Sequence, residues 1–217
     1  MQEYRQARFI RPPGATEILL VRHGESRAAT PNDPFPLVDG HGDPELHENG
    51  RDQAIKVGMR LRHQPIDAVY VTNLRRTAET AAPLCAHLGL EPIVEPDLRE
   101  VYLGEWEGGM LRIKAHDNDP IYVKMQQEQR WDVIPGAEPL DKFRQRLLRG
   151  LHRMRDTHPD QLIVAVVHGG VIGQILAHAT GAQPFAFNGA DNGSISHIVM
   201  WEEHVVVRLF NDATHIS

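Results

Sequence analysis

The chain has 217 residues, 41% hydrophobic and 24% charged, which suits one large α/β domain better than two very small ones. A net charge of −6 argues against a nucleic-acid-binding protein, whose contact face is usually basic, without excluding a small anionic substrate. The one cysteine, Cys85, permits no intramolecular disulfide and reads as a buried structural thiol. Residues 1–15 carry scattered charges and then Pro12-Pro13-Gly14, an N-terminal arm leading into a single domain over 16–217. Neither a signal-like apolar segment nor a membrane-length span is present, so a cytoplasmic protein with no membrane partner is expected.

The apolar run Ile18–Val21 is short and β-favouring and reads as a buried parallel strand. It ends in Arg22-His23-Gly24, at the carboxyl end where open α/β sheets bind their ligands. Turn formers crowd residues 27–46, among them Pro31, Asp33, Pro36, Asp39 and Gly40, as either a lid over the site or a variable surface loop. A helix is predicted over 47–62, with Ala54, Val57, Gly58 and Leu61 on one face. The strand Asp67–Val71 runs directly into Thr72-Asn73-Leu74-Arg75-Arg76. An Ala-rich helix then reaches Leu88, with a kink expected at Pro83 and a stop at Gly89.

Ile93–Val94 is a weaker strand leading to Asp97-Leu98-Arg99-Glu100 and on to Gly104-Glu105-Trp106-Glu107-Gly108. Residues 110–135 show no clear period. A clean helical stripe follows in Leu140, Phe143, Leu147, Leu151 and Met154, with Pro139 in the first turn. Leu162–Val167 is the second strong buried strand and ends in His168-Gly169-Gly170; a helix over 171–179 closes at Gly181. Ser194–Trp201 and Val205–Phe210 read as a hairpin at a sheet edge, which leaves a homodimer through an edge strand open.

This order implies a three-layer α/β/α fold with a mostly parallel central sheet. Parallel strands point one way, so Arg22 and His23, Arg75 and Arg76, and His168 lie along the same rim. If those strands are neighbours, two histidines and at least two arginines share one pocket. Such a pocket suits a dianionic phosphoryl group, because planar arginine donors fork onto its oxygens.

At this point the chain resembles the histidine phosphatase superfamily, the phosphoglycerate-mutase-like enzymes, over most of residues 16–200. The resemblance rests on Val-Arg-His-Gly-Glu-Ser at 21–26, Gly50-Arg51-Asp52-Gln53-Ala54, and Thr72-Asn73-Leu74-Arg75-Arg76-Thr77-Ala78-Glu79-Thr80. It continues in Leu98-Arg99-Glu100 with Gly104-Glu105-Trp106-Glu107-Gly108, and in Val167-His168-Gly169-Gly170-Val171-Ile172. It implies His23 as the transiently phosphorylated nucleophile, with Arg22, Arg76 and His168 as the phosphate cradle. It further implies Glu100 as general acid, and Gly24, Ser26 and Gly169 as substrate-binding positions. Arg76 is preferred to Arg75 because it aligns with the motif. No metal and no cofactor is implied, since the arginines supply the positive charge, and the expected partner is a small phosphorylated substrate.

Three details favour a phosphatase over a phosphoglycerate mutase. His168 is followed by Gly-Gly-Val-Ile, the acid loop reads Gly-Glu-Trp-Glu-Gly, and Ala28-Ala29 stand where mutases commonly have Trp-Asn. The alanines also remove a phosphate contact, so another group is needed to complete the cradle. The segment Asp39-Gly40 to Leu46 keeps some mutase-like spacing, and a non-catalytic phosphate- or phosphoprotein-binding module is the reading from another class. Glu105 and Glu107 read as loop surface, and His63, His87, His152 and His158 as solvated residues without metal-ligand spacing. His41 and His47 are candidates to approach the pocket from the long loop.

Overall fold

A computed structural model describes residues 3–216. In chain order the elements are β1 (Thr16–Arg22), β2 (Leu37–Val38), β3 (His41–Gly42), α1 (Glu48–Leu61), β4 (Ile66–Val71), α2 (Arg75–Leu88) and β5 (Ile93–Val94). After 3-10 turns at Pro96–Leu98 and Gly104–Trp106 come α3 (Met110–His116), α4 (Pro120–Glu128) and α5 (Leu140–Thr157). The chain finishes with β6 (Leu162–Val167), α6 (Gly169–Thr180), β7 (Ile195–Trp201) and β8 (His204–Asp212).

The six-stranded sheet has the order β5-β4-β6-β1-β7-β8. Its left four strands are parallel, and β7 runs antiparallel to both β1 and β8. Alternate residues of one strand supply two different cores, as the pleat requires. Ile163, Ala165 and Val167 join Phe143, Leu147, Leu151 and Met154 of α5 and Val171, Ile172 and Ile175 of α6 on one face. Val164 and Val166 join Val57 and Leu61 of α1 and Ala81, Leu84 and Cys85 of α2 on the other. The result is the expected α/β/α sandwich with a largely parallel centre.

Register decides the site. Val21 and Val71 both pair with Val166, so β1, β6 and β4 end level and side by side. His23 N–H continues the ladder, donating to Val167 O at 3.0 Å. The residues just past those three ends are therefore immediate neighbours.

The local expectations hold with small shifts. Gly89 caps α2 in the left-handed conformation and Pro83 lies inside that helix. Pro139 sits one residue before the first turn of α5, as its N-cap. The terminal hairpin has only β8 at the edge, because β7 is bonded to β1. Residues 110–135 fold as α3, α4 and a 3-10 turn around Trp106, Met125 and Ile134, a small core of their own. That core draws apolar residues from several short elements, which explains the lack of one sequence period.

The arm's residues 3–15 have no regular structure; Met1 and Gln2 of the arm, with Ser217, lie outside the described residues. Arg11 donates to Asp160 O at 2.9 Å and Gly14 N–H to Asp160 Oδ1 at 2.7 Å, tying the arm to the start of β6. No helix among the described residues is long and apolar enough to cross a membrane.

One histidine expected in solvent is buried. His158 has Nδ1 2.5 Å from Gln161 Oε1 and Nε2 2.8 Å from the Tyr70 hydroxyl, a pairing set by a turn the sequence pattern does not reveal.

Candidate active site

Arg22 and His23 leave β1, Thr72 follows β4, Arg76 opens α2, and His168 caps α6 after β6. The three strand ends thus bring Arg22, His23, Arg76 and His168 together. His23 is almost fully buried, with its ring centroid 5.2 Å from that of His168. Its Nδ1 donates to Gly24 O at 2.7 Å, which fixes the proton there and leaves Nε2 with a lone pair. Arg76 Nε donates to that Nε2 at 3.2 Å, and Asn192 Nδ2 holds the His23 carbonyl at 2.8 Å.

Burial first, then the Arg76 and Arg22 charges, hold the His23 imidazole well below its ordinary pKa. His168 is pushed the same way by burial and by Arg76. Its Nε2 lies 3.1 Å from Thr72 Oγ1, whereas its Nδ1 is buried with no partner. Burial lowers the Arg76 guanidinium to about 10, so it stays charged at neutral pH. Arg22 is lowered by burial and raised by Glu100 and Asp191; it donates to Ala190 O, and its own Nε is a second buried polar atom without a partner. Orphaned polar atoms at a buried centre indicate a place for a polar ligand.

Arg22, His23 and Arg76 line a cavity of about 170 Å³ together with Glu100, while His168 is fully buried beside His23 and does not reach the wall. The Glu100 carboxylate accepts from its neighbour Val101 N at 3.0 Å and from Gly170 N, in the first turn of α6, at 3.2 Å. A Cβ on Gly170 would stand 2.6 Å from Glu100 Oε1, so a side chain there would displace the carboxylate from its present place. Gly169 is not under the same constraint, since a Cβ there would make ordinary contact with Arg22 Nε at 3.4 Å.

Gly24, Ser26 and Gly169 are not part of the cavity wall. Gly24 N–H is taken by Thr80 Oγ1 at 3.0 Å, and a Cβ at Gly24 would lie 2.4 Å from Gly50 O. Ser26 is buried and accepts from Arg112 Nη2 at 2.7 Å. They stand behind the residues that reach the cavity.

Arg112 itself, on α3, is a cavity residue that the sequence reading missed. Its Nη1 donates to Arg27 O at 2.8 Å, and it lies 5.2 Å from the Phe35 ring centroid, with Arg27 at the same distance from that ring. No sequence signal marks it, because α3 is a seven-residue helix with no strand to orient it. Glu107, read as loop surface, also lines the cavity. Its oxygens accept from Gly42 N at 2.7 Å and Leu103 N at 2.9 Å, joining the long loop to the acid loop.

The long loop covers the cavity through Phe35, His41, Gly42 and Pro44. Arg76 Nη1 donates to Gly42 O at 2.8 Å, so the loop is held from both sides. His41 is buried in the wall beside Tyr102, whereas His47 is the exposed N-cap of α1. Among the described residues no cluster of three or more His, Cys, Asp or Glu is arranged to hold a metal ion. The arrangement suits a phosphoryl group: three cations, a neutral imidazole with a directed lone pair, and a carboxyl group in one small cavity.

Comparison with known proteins identifies the family. The family model for the histidine phosphatase superfamily (branch 1) matches residues 18–213. Phosphoglycerate mutase-like protein 4 of Arabidopsis thaliana is 40% identical over 167 residues, 75% of this chain and 70% of that protein. The metal-independent phosphoserine phosphatase of the same plant is 28% identical over 206 residues, 93% of this chain and 84% of that protein. The solved structure of Bacillus stearothermophilus YhfR superposes with a TM-score of 0.78 at 25% identity, covering 93% of this chain and all of that one (100%). The chain belongs to the histidine phosphatase superfamily, branch 1.

Proposed function

We propose that this protein is a phosphomonoester hydrolase working through a phosphohistidine on His23, within a single catalytic domain over 16–217. The observation that carries the reading is the His23 ring: Nδ1–H is tied to Gly24 O, and Nε2 keeps its lone pair among Arg22, Arg76 and Arg112. In the first half-reaction Nε2 attacks phosphorus and the ester P–O bond breaks. Glu100, protonated, gives its proton to the leaving alkoxide oxygen. Glu100, now a carboxylate, takes a proton from water; the water oxygen attacks phosphorus, the P–N bond breaks, and inorganic phosphate leaves.

The arginines and His168 spread the negative charge of the transferring group. With Nε2 of His168 engaged by the Thr72 hydroxyl, the orphaned Nδ1 is the ring atom left to meet a phosphoryl group. Arg112, which lines the cavity, is the group proposed to complete the cradle that lacks a contact at Ala29. Positive charge comes from side chains, so turnover is expected without a metal ion.

The experiment is phosphate release in EDTA from 4-nitrophenyl phosphate, phosphoserine and 3-phosphoglycerate, with alkaline-detergent quenching to trap phosphoenzyme. Wild type turns over and traps a base-stable phosphohistidine; His23→Ala loses on the order of 10⁴-fold in kcat and traps nothing. Full activity in His23→Ala would sink the mechanism. Phosphoryl exchange on 3-phosphoglycerate without net release would select the mutase, and no turnover with no phosphoenzyme on any ester would select a binding module.

A further inference from the structure

The half-reactions above leave one buried cation of α5 unused. Arg146 is 6% exposed. A guanidinium presents five N–H donors in a rigid plane, and every one of these is engaged. Nε and Nη2 hold the two Glu138 oxygens at 2.8 and 2.9 Å. Nη1 donates to the carbonyls of Asp97 and Arg99 at 2.7 and 2.6 Å, and Nη2 to that of Glu100 at 2.7 Å. The guanidinium lies 4.7 Å from the centroid of Phe143, whose ring is fully buried in the core.

Glu138 closes the same loop from its other end, its N–H donating to Tyr102 O at 2.9 Å. Leu98 packs directly on α5, where a Cβ at Gly150 would come within 3.2 Å of its side chain. The backbone from 97 to 102 is thus curled around one side chain and its counterion. By contrast, the Glu100 carboxylate has only two backbone N–H partners, and its residue is half-buried. Its position in the cavity is set mainly by where its own backbone stands.

We infer that Arg146 is a positioning residue for the proton donor: its fork holds the carbonyls of 97, 99 and 100 so that the Glu100 carboxyl reaches the bridging oxygen. The inference rests on the reading of Glu100 as general acid. An ion pair kept only for stability would not need this arrangement, because buried pairs are often replaceable by apolar residues of similar volume. Three carbonyls and a bidentate carboxylate on one plane require arginine; lysine has three donors and no plane.

The test exploits leaving-group basicity. 4-Nitrophenoxide departs without a proton, whereas an alkoxide needs one. Arg146→Lys is expected to lower kcat/KM for glycerol phosphate by about 10²-fold, at the low end of what general acid catalysis supplies, and that for 4-nitrophenyl phosphate by less than about 3-fold. Glu138→Gln, which leaves the fork but removes its counterion, shifts the same ratio by less. Glu100→Gln, measured in parallel, gives the full leaving-group discrimination.

If Glu100→Gln discriminates while Arg146→Lys and Glu138→Gln lower both substrates in equal proportion, Arg146 only stabilises the fold and the inference is overturned. If Glu100→Gln itself lowers both equally, the reading of Glu100 fails and the inference goes with it. Should Arg146→Lys not fold, the Glu138→Gln ratio decides alone.

Discussion

Arg112 is held rather than free: Ser26 Oγ and Arg27 O accept from its two terminal nitrogens, and the Phe35 ring lies against it. A guanidinium fixed in this way spends little entropy on binding a phosphoryl oxygen, and a charge-assisted hydrogen bond is worth about 1.5–3 kcal/mol. Arg112→Ala is therefore expected to lower kcat/KM by roughly 10–150-fold with little change in thermal midpoint, read by steady-state kinetics on 4-nitrophenyl phosphate. An unchanged kcat/KM would remove Arg112 from the cradle. The residue also marks the limit of legibility in the sequence. Arg22, His23, Arg76 and His168 were visible because each follows or closely succeeds an apolar strand whose end has a known place. Arg112, Glu107 and Asn192 arrive from turns and a short helix, where neighbouring residues do not dictate which way a side chain faces.

At the scale of elements, the contact that seats His23 is between two glycines. A Cβ at Gly50, in the first turn of α1, would stand 2.0 Å from Glu25 O, and one at Gly24 would stand 2.4 Å from Gly50 O. The β1 exit and the α1 start approach backbone to backbone, and only residues without a side chain allow it. Backbone cannot yield as a flexible side chain does, so Gly50→Ala should destabilise by about 3 kcal/mol, the upper end of ordinary overpacking. Urea unfolding measures this, and a loss under about 0.5 kcal/mol would mean that the two segments slide apart freely. The same contrast accounts for what the sequence conveyed of the elements. Strands with continuous apolar runs and α5 with its apolar stripe were read to within a residue or two, because one core explains each pattern. The α3–α4 segment and the covering loop were opaque, since they are organised by single bonds such as Arg76 to Gly42 O and Gly42 N to Glu107.

For the molecule as a whole, a neutral His23 and a neutral His168 at its centre have a thermodynamic signature. Both imidazoles are held well below 6.5 when folded, by burial above all, but titrate near 6.5 when the chain unfolds. Below that pH the unfolded state binds protons that the folded state refuses, so stability rises with pH there. Their contribution is fully present above about pH 6.5 and is lost progressively as the pH falls towards the folded values. Each histidine adds a slope approaching about 1.4 kcal/mol per pH unit, and the pair roughly twice that. His41, His178, His197 and His215, lowered less and by the same cause, tilt the curve in the same direction. Urea unfolding at pH 7, 6 and 5 should therefore give falling stabilities for wild type and a flatter series for His23→Asn/His168→Asn. Parallel series would mean that the two rings accept protons inside the fold. That result would also undermine the lone pair on His23 Nε2, because the burial expected to make the protein acid-sensitive is what would keep the proposed nucleophile unprotonated.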